Sequence, residues 1–189
     1  RGGGSSRRSM SRTRHPWWGK WGGWNIAVVG SQEGDLSTHI KKCKEKGQHF
    51  PEELILNWFA QIMLALKYIH RLNILHRDLK TSNIMLQENG DLKIGDFGIA
   101  RVLEGTMQNA ESVVGTPYYM SPEQAQGIKS VDSRSDLWSL AVIVFQCLTG
   151  RLPFESEALG DLLVKIIVHP IPSPNDYGPV RSEERRVGK

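Results

Sequence analysis

Apolar residues recur at helical spacing in three stretches of the chain. In residues 51–72 they fall three or four positions apart, the pattern of a helix with one buried face. Residues 135–149 are apolar on all sides, which predicts a helix inside a domain, with Gly150 as its stop signal. A third, amphipathic pattern covers residues 159–167. These stretches predict a mainly helical domain.

A small hairpin is predicted between the first two of these helices. Two short β patterns, Ile84–Leu86 and Leu92–Ile94, flank the dipeptide Asn89-Gly90. Asn-Gly is favoured in hairpin turns because both residues tolerate positive φ. The predicted fold class is therefore α+β, mainly helical, with small β-hairpins.

Charge divides the chain into three segments. The formal net charge is +4, but residues 1–32 carry +6 and residues 181–189 carry +2, so residues 33–180 carry −4. The basic character belongs to the two ends. Nucleic acid is therefore not an expected partner of the middle segment.

The two ends differ from the middle in composition as well. Residues 1–32 are rich in Gly, Ser, Arg and Trp without a helical or strand period, and we expect them to be disordered or an artefact of sequence assembly. The rival interpretation is an Arg/Gly/Trp arm that binds nucleic acid. The tail RSEERRVGK, residues 181–189, matches the translation of a common sequencing adapter, and we expect it to be non-native.

Several classes of protein are excluded. Two cysteines are too few for a disulfide scaffold or a four-thiolate zinc site. The longest uncharged apolar run, residues 137–150, is shorter than the about 20 residues that span a bilayer, so no membrane association is expected. The first residues lack the apolar core of a secretory signal. We expect a cytoplasmic protein, with the cytoskeleton and the nucleus as alternatives.

Three motifs carry the chemistry. They are His-Arg-Asp-Leu-Lys-Thr-Ser-Asn at 76–83, Asp-Phe-Gly at 96–98 and Gly-Thr-Pro-Tyr-Tyr-Met-Ser-Pro-Glu at 115–123. Their order and spacing, with the hairpin between the first two, resemble the protein-kinase signature set. Within the kinases the chain is similar to the NIMA-related group, and this similarity covers residues 33 to about 178. It rests on residues 33–36, 58–61, 74–78, 95–103 and 115–123.

The resemblance implies ATP and Mg²⁺ as cofactors and protein substrates as partners. Asp78 would accept the proton of the substrate hydroxyl, and Lys80 would lie beside the γ-phosphate. Asn83 and Asp96 would hold Mg²⁺, which prefers oxygen ligands. Lys80, two positions after the catalytic aspartate, is the form found in serine/threonine kinases.

The resemblance also implies structural and regulatory positions. The structural ones are His76, Arg77, Phe97, Gly98 and Asp136, and those of the activation segment are Ser112, Thr116 and Glu123. Ser112 is the preferred phosphorylation site because its phosphate would face Arg77, with Thr106 as the second candidate and an inert loop serine as the alternative. Asp136 would accept hydrogen bonds from the catalytic-loop backbone. Glu123 pairs in the family with a later arginine, and we expect that partner to be missing here.

The small lobe of a kinase has no counterpart in residues 1–32. They contain neither a complete glycine-rich motif nor a strand lysine. Residues 33–180 are therefore expected to form a partial kinase domain, the C-terminal lobe, with the N-terminal lobe absent. We expect a protein serine/threonine kinase by family whose fragment is inactive alone. The alternative is a non-catalytic kinase-lobe binding module or scaffold.

Overall fold

The computed structural model describes residues 18–21, 24–27, 34–96 and 117–177. The chain divides into two compact units, residues 1–30 and 31–189. In the first unit, strands β1 (Trp18–Trp21) and β2 (Trp24–Ala27) pair antiparallel. These eight residues have regular structure where the sequence predicts none. The rest of 1–32 and the tail 181–189 lie outside the described residues, and the expectations for them stay predictions.

The described part of the second unit is mostly helical, which confirms the predicted fold class. Its helices are α1 (Leu36–Glu45), α2 (Glu52–Arg71), α3 (Pro122–Ala125), α4 (Ser133–Thr149) and α5 (Leu159–Val168). Its strands β3 (Ile84–Leu86) and β4 (Leu92–Ile94) form one antiparallel hairpin. Single 3₁₀ turns cover Thr81–Asn83, Pro117–Tyr119 and Pro174–Tyr177.

The two long helices end where the sequence predicts, and α4 begins slightly earlier. Pro51 is the N-cap of α2, and Glu52 and Glu53 lie near the positive end of its dipole. Helix α4 begins two residues before the predicted start, because the Asp132 side chain accepts the Arg134 N–H at 2.9 Å. It ends at Gly150, whose φ of +68° is the left-handed conformation that glycine favours.

Helix α1 is an element that the apolar pattern alone does not predict. The Asp35 carboxylate caps it by accepting the Thr38 N–H at 2.7 Å, and Leu36 and Ile40 supply its buried face. Most other positions of α1 are exposed and polar. A single short apolar row is a weak periodic signal, and the capping aspartate is the clearer sign of this helix.

The predicted hairpin is present with the predicted strand bounds. Ile84 lies opposite Ile94 and Leu86 opposite Leu92, and Gly90 has a φ of +84° in the turn. The Gly95 N–H donates to the Asn83 carbonyl at 2.8 Å, which extends the pairing beyond the strands. The hairpin therefore brings the two ends that carry Asn83 and Asp96 together.

The main core forms where α2 packs against α4, with α1 and the hairpin beside them. Its buried residues are Leu36, Ile40, Ile55, Trp58, Ile62, Leu66, Leu79, Ile84, Leu86, Leu140, Ile143 and Cys147. A second, smaller cluster lies at α5 and contains Phe154, Leu162 and Ile166. Among the described residues no helix is both long enough and apolar enough to cross a membrane.

We expect Leu66→Ala to lower the free energy of unfolding by about 2–5 kcal/mol, because it leaves a cavity at a side chain that is 1% exposed. Leu64, two residues away on the same helix, is 67% exposed and provides the matched control. Leu64→Ala is expected to change the stability by less than about 0.5 kcal/mol. Urea denaturation of both variants measures the difference, and equal losses would contradict this assignment of the core.

Candidate active site

One buried carboxylate anchors the start of the loop formed by residues 76–83. Asp136 on α4 is 2% exposed, and its Oδ2 and Oδ1 accept the backbone N–H groups of His76 and Arg77, each at 2.9 Å. His70 Nε2, near the end of α2, lies 2.7 Å from Oδ2. These contacts join α2, α4 and the loop across about 60 residues of sequence.

The anchored backbone takes a conformation that non-glycine residues rarely adopt. Arg77 has a φ of +64°, which lies in the left-handed region. Its N–H is held by Asp136, and its carbonyl accepts the Gln124 side-chain amide at 3.2 Å. Both peptide groups that flank the strained residue are thereby fixed, and the next residue, Asp78, has a defined direction.

His76 ties the loop to the end of the hairpin. Its Nε2 lies 3.0 Å from the Gly95 carbonyl, and the Asp78 N–H donates to its Nδ1 at 3.4 Å. A carbonyl only accepts and an N–H only donates, so the imidazole is neutral with its proton on Nε2. Burial lowers the pKa of His76, which agrees with this neutral form.

Asp78, Lys80 and Asn83 converge on one side of the loop. Asp78 Oδ2 accepts the Lys80 ammonium at 2.8 Å and the Asn83 amide at 3.3 Å. The same amide also donates to the Asp78 carbonyl at 2.9 Å. Asp78 and Lys80 are partly exposed, whereas Asn83 is buried. The Asp78 carboxylate and the Lys80 ammonium are therefore accessible to solvent. The buried Asn83 side chain and the anchored backbone of Arg77 hold Asp78 in place.

Asp96 follows β4 and comes close to Asn83. The Asn83 amide lies 3.5 Å from the Asp96 carbonyl, and Asp96 has a φ of +48° with an exposed side chain. Asn83 uses its amide nitrogen within the protein, so its amide oxygen is the atom suited to a ligand. One carboxylate and one amide oxygen fit Mg²⁺, which commonly takes few protein ligands beside phosphate and water. The described residues contain no group of three or more His, Cys, Asp or Glu side chains placed to bind a metal.

The segment after residue 116 is attached to the loop through hydroxyl groups. Thr81 Oγ1 and the Tyr119 hydroxyl lie 2.8 Å apart, and that hydroxyl donates to Gln146 Oε1 at 2.7 Å. Burial raises the pKa of Tyr119. The Ser139 hydroxyl donates to the Tyr119 carbonyl at 2.7 Å. Tyr119 is thus fixed between the catalytic-type loop and α4.

Glu123 has a partner within the described residues, although it is not an arginine. The Ser135 hydroxyl donates to Glu123 Oε1, and the Ser121 hydroxyl donates to Ser135 Oγ at 2.9 Å. Partial burial raises the pKa of Glu123, but the hydrogen bond from Ser135 and further bonds outweigh it and lower the pKa overall. The carboxylate therefore stays ionised in this pocket.

Some of the predicted residues cannot be placed in this arrangement. Phe97, Gly98, Ser112 and Thr116 lie outside the described residues, so the pairing of Arg77 with a phosphate on Ser112 stays a prediction. The described residues bring together His76, Arg77, Asp78, Lys80, Asn83, Asp96 and Asp136.

Sequence reasoning missed two residues that position the site, His70 and Gln124. No local signal marks His70 as a neighbour of Asp136. Gln124 could have been identified from the sequence, because Ser121-x-x-Gln124 has the form of a capping box. In the structure both hydrogen bonds of that capping box are present. The capping amide of Gln124 then also reaches the Arg77 carbonyl.

Comparisons with known proteins agree with the motifs. A family model described as protein kinase domain matches residues 27–174. Serine/threonine-protein kinase Nek3 of Mus musculus is 43% identical over 143 residues, which are 74% of this chain and 27% of that protein. Nek5 of Homo sapiens is 47% identical over 134 residues, 70% of this chain and 18% of that protein. The probable serine/threonine-protein kinase nek3 of Dictyostelium discoideum is 47% identical over 154 residues, 78% of this chain and 14% of that protein. The chain thus spans between 14 and 27% of the length of these relatives.

We expect Asp136→Asn to destabilise the fold by about 2–4 kcal/mol, because one buried backbone N–H would face an amide NH₂ in place of an oxygen. Asp132→Asn, four residues earlier, is the matched control, since asparagine also caps helices and this position is exposed. Thermal and urea unfolding measure both variants. Equal stability of Asp136→Asn and the unsubstituted chain would contradict the anchoring role.

The lowered pKa of His76 predicts a pH-dependent stability. The unfolded chain takes up a proton near pH 6.5, whereas folded His76 stays neutral, so its contribution is complete above that pH and is lost as the pH falls. Between pH 7.5 and 5.5 we expect His76→Gln to flatten the fall in unfolding free energy, by at most about 1.4 kcal/mol per pH unit. His169→Gln, at an exposed position, is expected to leave the slope unchanged. Denaturation curves at the two pH values test this, and a steeper slope in His76→Gln would contradict it.

Proposed function

Since this chain belongs to the protein kinase family, in its NIMA-related serine/threonine group, we propose that residues 34–177 form the catalytic lobe of an enzyme that transfers the γ-phosphate of ATP to serine and threonine hydroxyls of proteins. The observation that carries the proposal is the convergence of Lys80 and Asn83 on the Asp78 carboxylate. A merely solvated aspartate would not need a buried asparagine and an anchored loop to hold it.

Asp78 is assigned to orient the substrate and take its proton. In the proposed step the hydroxyl oxygen bonds to the γ-phosphorus, the bond to the ADP oxygen breaks, and the hydroxyl proton goes to Asp78. The bond from Asn83 and the fixed Arg77 backbone support Asp78 in the direction that this attack needs. The carboxylate is partly exposed, so a substrate side chain can reach it.

Lys80 is assigned to the transferred phosphoryl group. Its ammonium lies 2.8 Å from Asp78 Oδ2, so a phosphoryl group between substrate hydroxyl and nucleotide would lie within its reach. A positive charge at that point offsets the negative charge on the equatorial oxygens. The lysine at this position is also what supports serine and threonine, rather than tyrosine, as acceptors.

Asn83 and Asp96 are assigned to Mg²⁺, through the amide oxygen and the carboxylate respectively. The ion would neutralise phosphate charge when bound. The hairpin supports this assignment because its ladder holds the two residues together, through the bond from Gly95 to the Asn83 carbonyl. Phosphorylation of Ser112 and a cytoplasmic location, with the cytoskeleton or nucleus as alternatives, belong to the same proposal.

We further propose that this 189-residue chain is inactive alone. Residues 1–32 contain no complete glycine-rich phosphate loop and no strand lysine for the α- and β-phosphates. Nucleotide would then be held from one side only, and the alignment that phosphoryl transfer needs would be lost. The lobe would retain its site residues without the other half of the cleft.

To test the function, we would join residues 34–177 to the small lobe of a Nek relative and follow radiolabelled phosphate transfer from Mg-ATP to casein. Transfer is expected, and Asp78→Asn should reduce kcat by about 10²–10⁴-fold. Asp91→Asn, in the exposed hairpin turn, is the matched control and should retain full activity. A folded but inactive hybrid would favour the non-catalytic binding module, and full activity of Asp78→Asn would contradict the assigned role.

The same assay on the unaltered 189-residue chain tests its inactivity. We expect no transfer above the level of its Asp96→Ala variant. Transfer that this substitution abolishes would show that the chain is active without a recognisable small lobe. Circular dichroism of both proteins verifies that they are folded.

A further inference from the structure

The Gln61 side chain on α2 contacts the hairpin that carries the proposed Mg²⁺ residues. Its Oε1 accepts the Leu92 N–H at 2.8 Å, and its Nε2 lies 3.5 Å from the Gly90 carbonyl. The same Nε2 donates to Asn57 Oδ1, one turn earlier on α2, at 3.2 Å. An N–H needs an acceptor and a carbonyl needs a donor, so the hairpin backbone requires this orientation of the carboxamide.

The two outer edges of the hairpin are held in different ways. On the edge of β3, the Leu86 N–H donates to the Gly34 carbonyl at 3.2 Å, and Met85 forms a β-bridge with Asp35. On the edge of β4, the Leu92 N–H is held by a side chain from α2. Each strand has three residues, and a two-stranded hairpin is marginally stable by itself. The position of β4 therefore depends on its contacts with the rest of the lobe.

Apolar packing alone does not fix β4 along its own direction. Leu92 and Ile94 pack against the main core, but both are only partly buried, and Lys93 between them is exposed. Apolar contact is non-directional, so a strand can slide or tilt over it at small cost. A hydrogen bond has a preferred length and angle. The bond from Leu92 to Gln61 therefore sets the position of β4 against α2.

The placement of β4 matters for the residue that follows it, Asp96. The Asn83 end of the hairpin is bound to the catalytic-type loop, because its amide donates to the Asp78 carbonyl at 2.9 Å. Asp96 follows β4 directly after Gly95, whose N–H donates to the Asn83 carbonyl. A shift of β4 would therefore change the separation of the Asn83 amide oxygen and the Asp96 carboxylate.

We propose that Gln61 is a positioning residue for Asp96. By holding β4 against α2, it keeps the Asp96 carboxylate beside Asn83, and it acts through the strand rather than on the site itself. The importance of this contact for catalysis rests on the proposed function, in which Asn83 and Asp96 hold Mg²⁺. The holding of β4 is independent of that function, and it can be measured without nucleotide or metal.

Amide hydrogen exchange of the complete 189-residue chain, followed by NMR, tests the contact. Gln61→Met keeps the length of the side chain and removes both polar atoms. We expect it to speed exchange of the Gly95 N–H by about fivefold or more, because loss of one ordinary hydrogen bond favours local opening by about that factor. Exchange of the buried residues Leu140 and Ile143 of α4 should stay unchanged.

Two further variants separate the hydrogen bond from other effects of the substitution. Gln61→Glu retains an oxygen for the Leu92 N–H and loses the donor, so exchange at Gly95 should stay within about twofold of the unaltered chain. Gln126→Met is the matched control, because it makes the same change at an exposed glutamine at the end of α3. It should leave the exchange at Gly95 unchanged.

Mn²⁺, a paramagnetic ion that takes oxygen ligands as Mg²⁺ does, tests the consequence for the metal pair. In the unaltered chain it should broaden the NMR signals of Asn83 and Gly95, and Asp96→Ala should abolish that broadening. Gln61→Met should need about twofold more Mn²⁺ or above, because the arrangement that brings both ligands together is less populated. Gln61→Glu should behave like the unaltered chain.

The possible failures are distinguishable. Unchanged exchange at Gly95 in Gln61→Met would overturn the positioning role, because other contacts would then hold β4. Equally faster exchange at Gly95, Leu140 and Ile143 would also overturn it, since Gln61 would then support the lobe as a whole. Absence of Mn²⁺ broadening in the unaltered chain would overturn the proposed metal pair, and with it the catalytic importance of Gln61, even where the exchange result holds.

Discussion

The lobe depends on the hydrogen bonds that the Asp136 carboxylate accepts. A buried carboxylate costs several kcal/mol in lost hydration unless donors replace the water. Here two backbone N–H groups and His70 surround its two oxygens. These donors lie between 59 and 66 residues away in sequence, so the bonds form only once α2 and α4 are packed. The packing of α2 against α4 and the conformation of the catalytic-type loop are therefore coupled through this carboxylate.

The same anchor explains why the strained backbone persists. A left-handed non-glycine residue costs about 1–3 kcal/mol, and both Arg77 and Asp96 adopt this conformation. Arg77 is held from both sides, by Asp136 and Gln124, and His76 links its loop to Gly95, next to Asp96. Arg77 adjoins the assigned Asp78 and Asp96 is itself assigned, which fits strain used to direct side chains. The third non-glycine residue with positive φ in the described part of the chain, Asn73, follows α2 and is of a type that tolerates this conformation. A neutral, buried His76 makes that link without adding a charge.

The predictable parts of the fold are those set by local pattern. The hairpin and the long helices follow from strand bounds, turn residues and apolar periodicity within about 20 residues, and the structure confirms them. Helix α1 was missed because only Leu36 and Ile40 enter the core. The hydrogen bond between His70 and Asp136 could not be predicted from the local sequence, since it depends on how two helices that are distant in sequence pack. The family resemblance predicts that Asp136 binds the loop backbone, whereas its partners and distances follow only from how the helices pack.

Charge gives a further reason for the arrangement of the proposed site. Residues 33–180 carry a formal net charge of −4, so the lobe as a whole does not attract an anionic nucleotide. Any attraction has to be local, and Lys80 is the ammonium that the described loop places beside Asp78. A carboxylate at Asp96 would repel phosphate unless a cation stood between them, which is the role that the proposal gives to Mg²⁺. Specific binding of nucleotide by this lobe should therefore depend on a divalent cation.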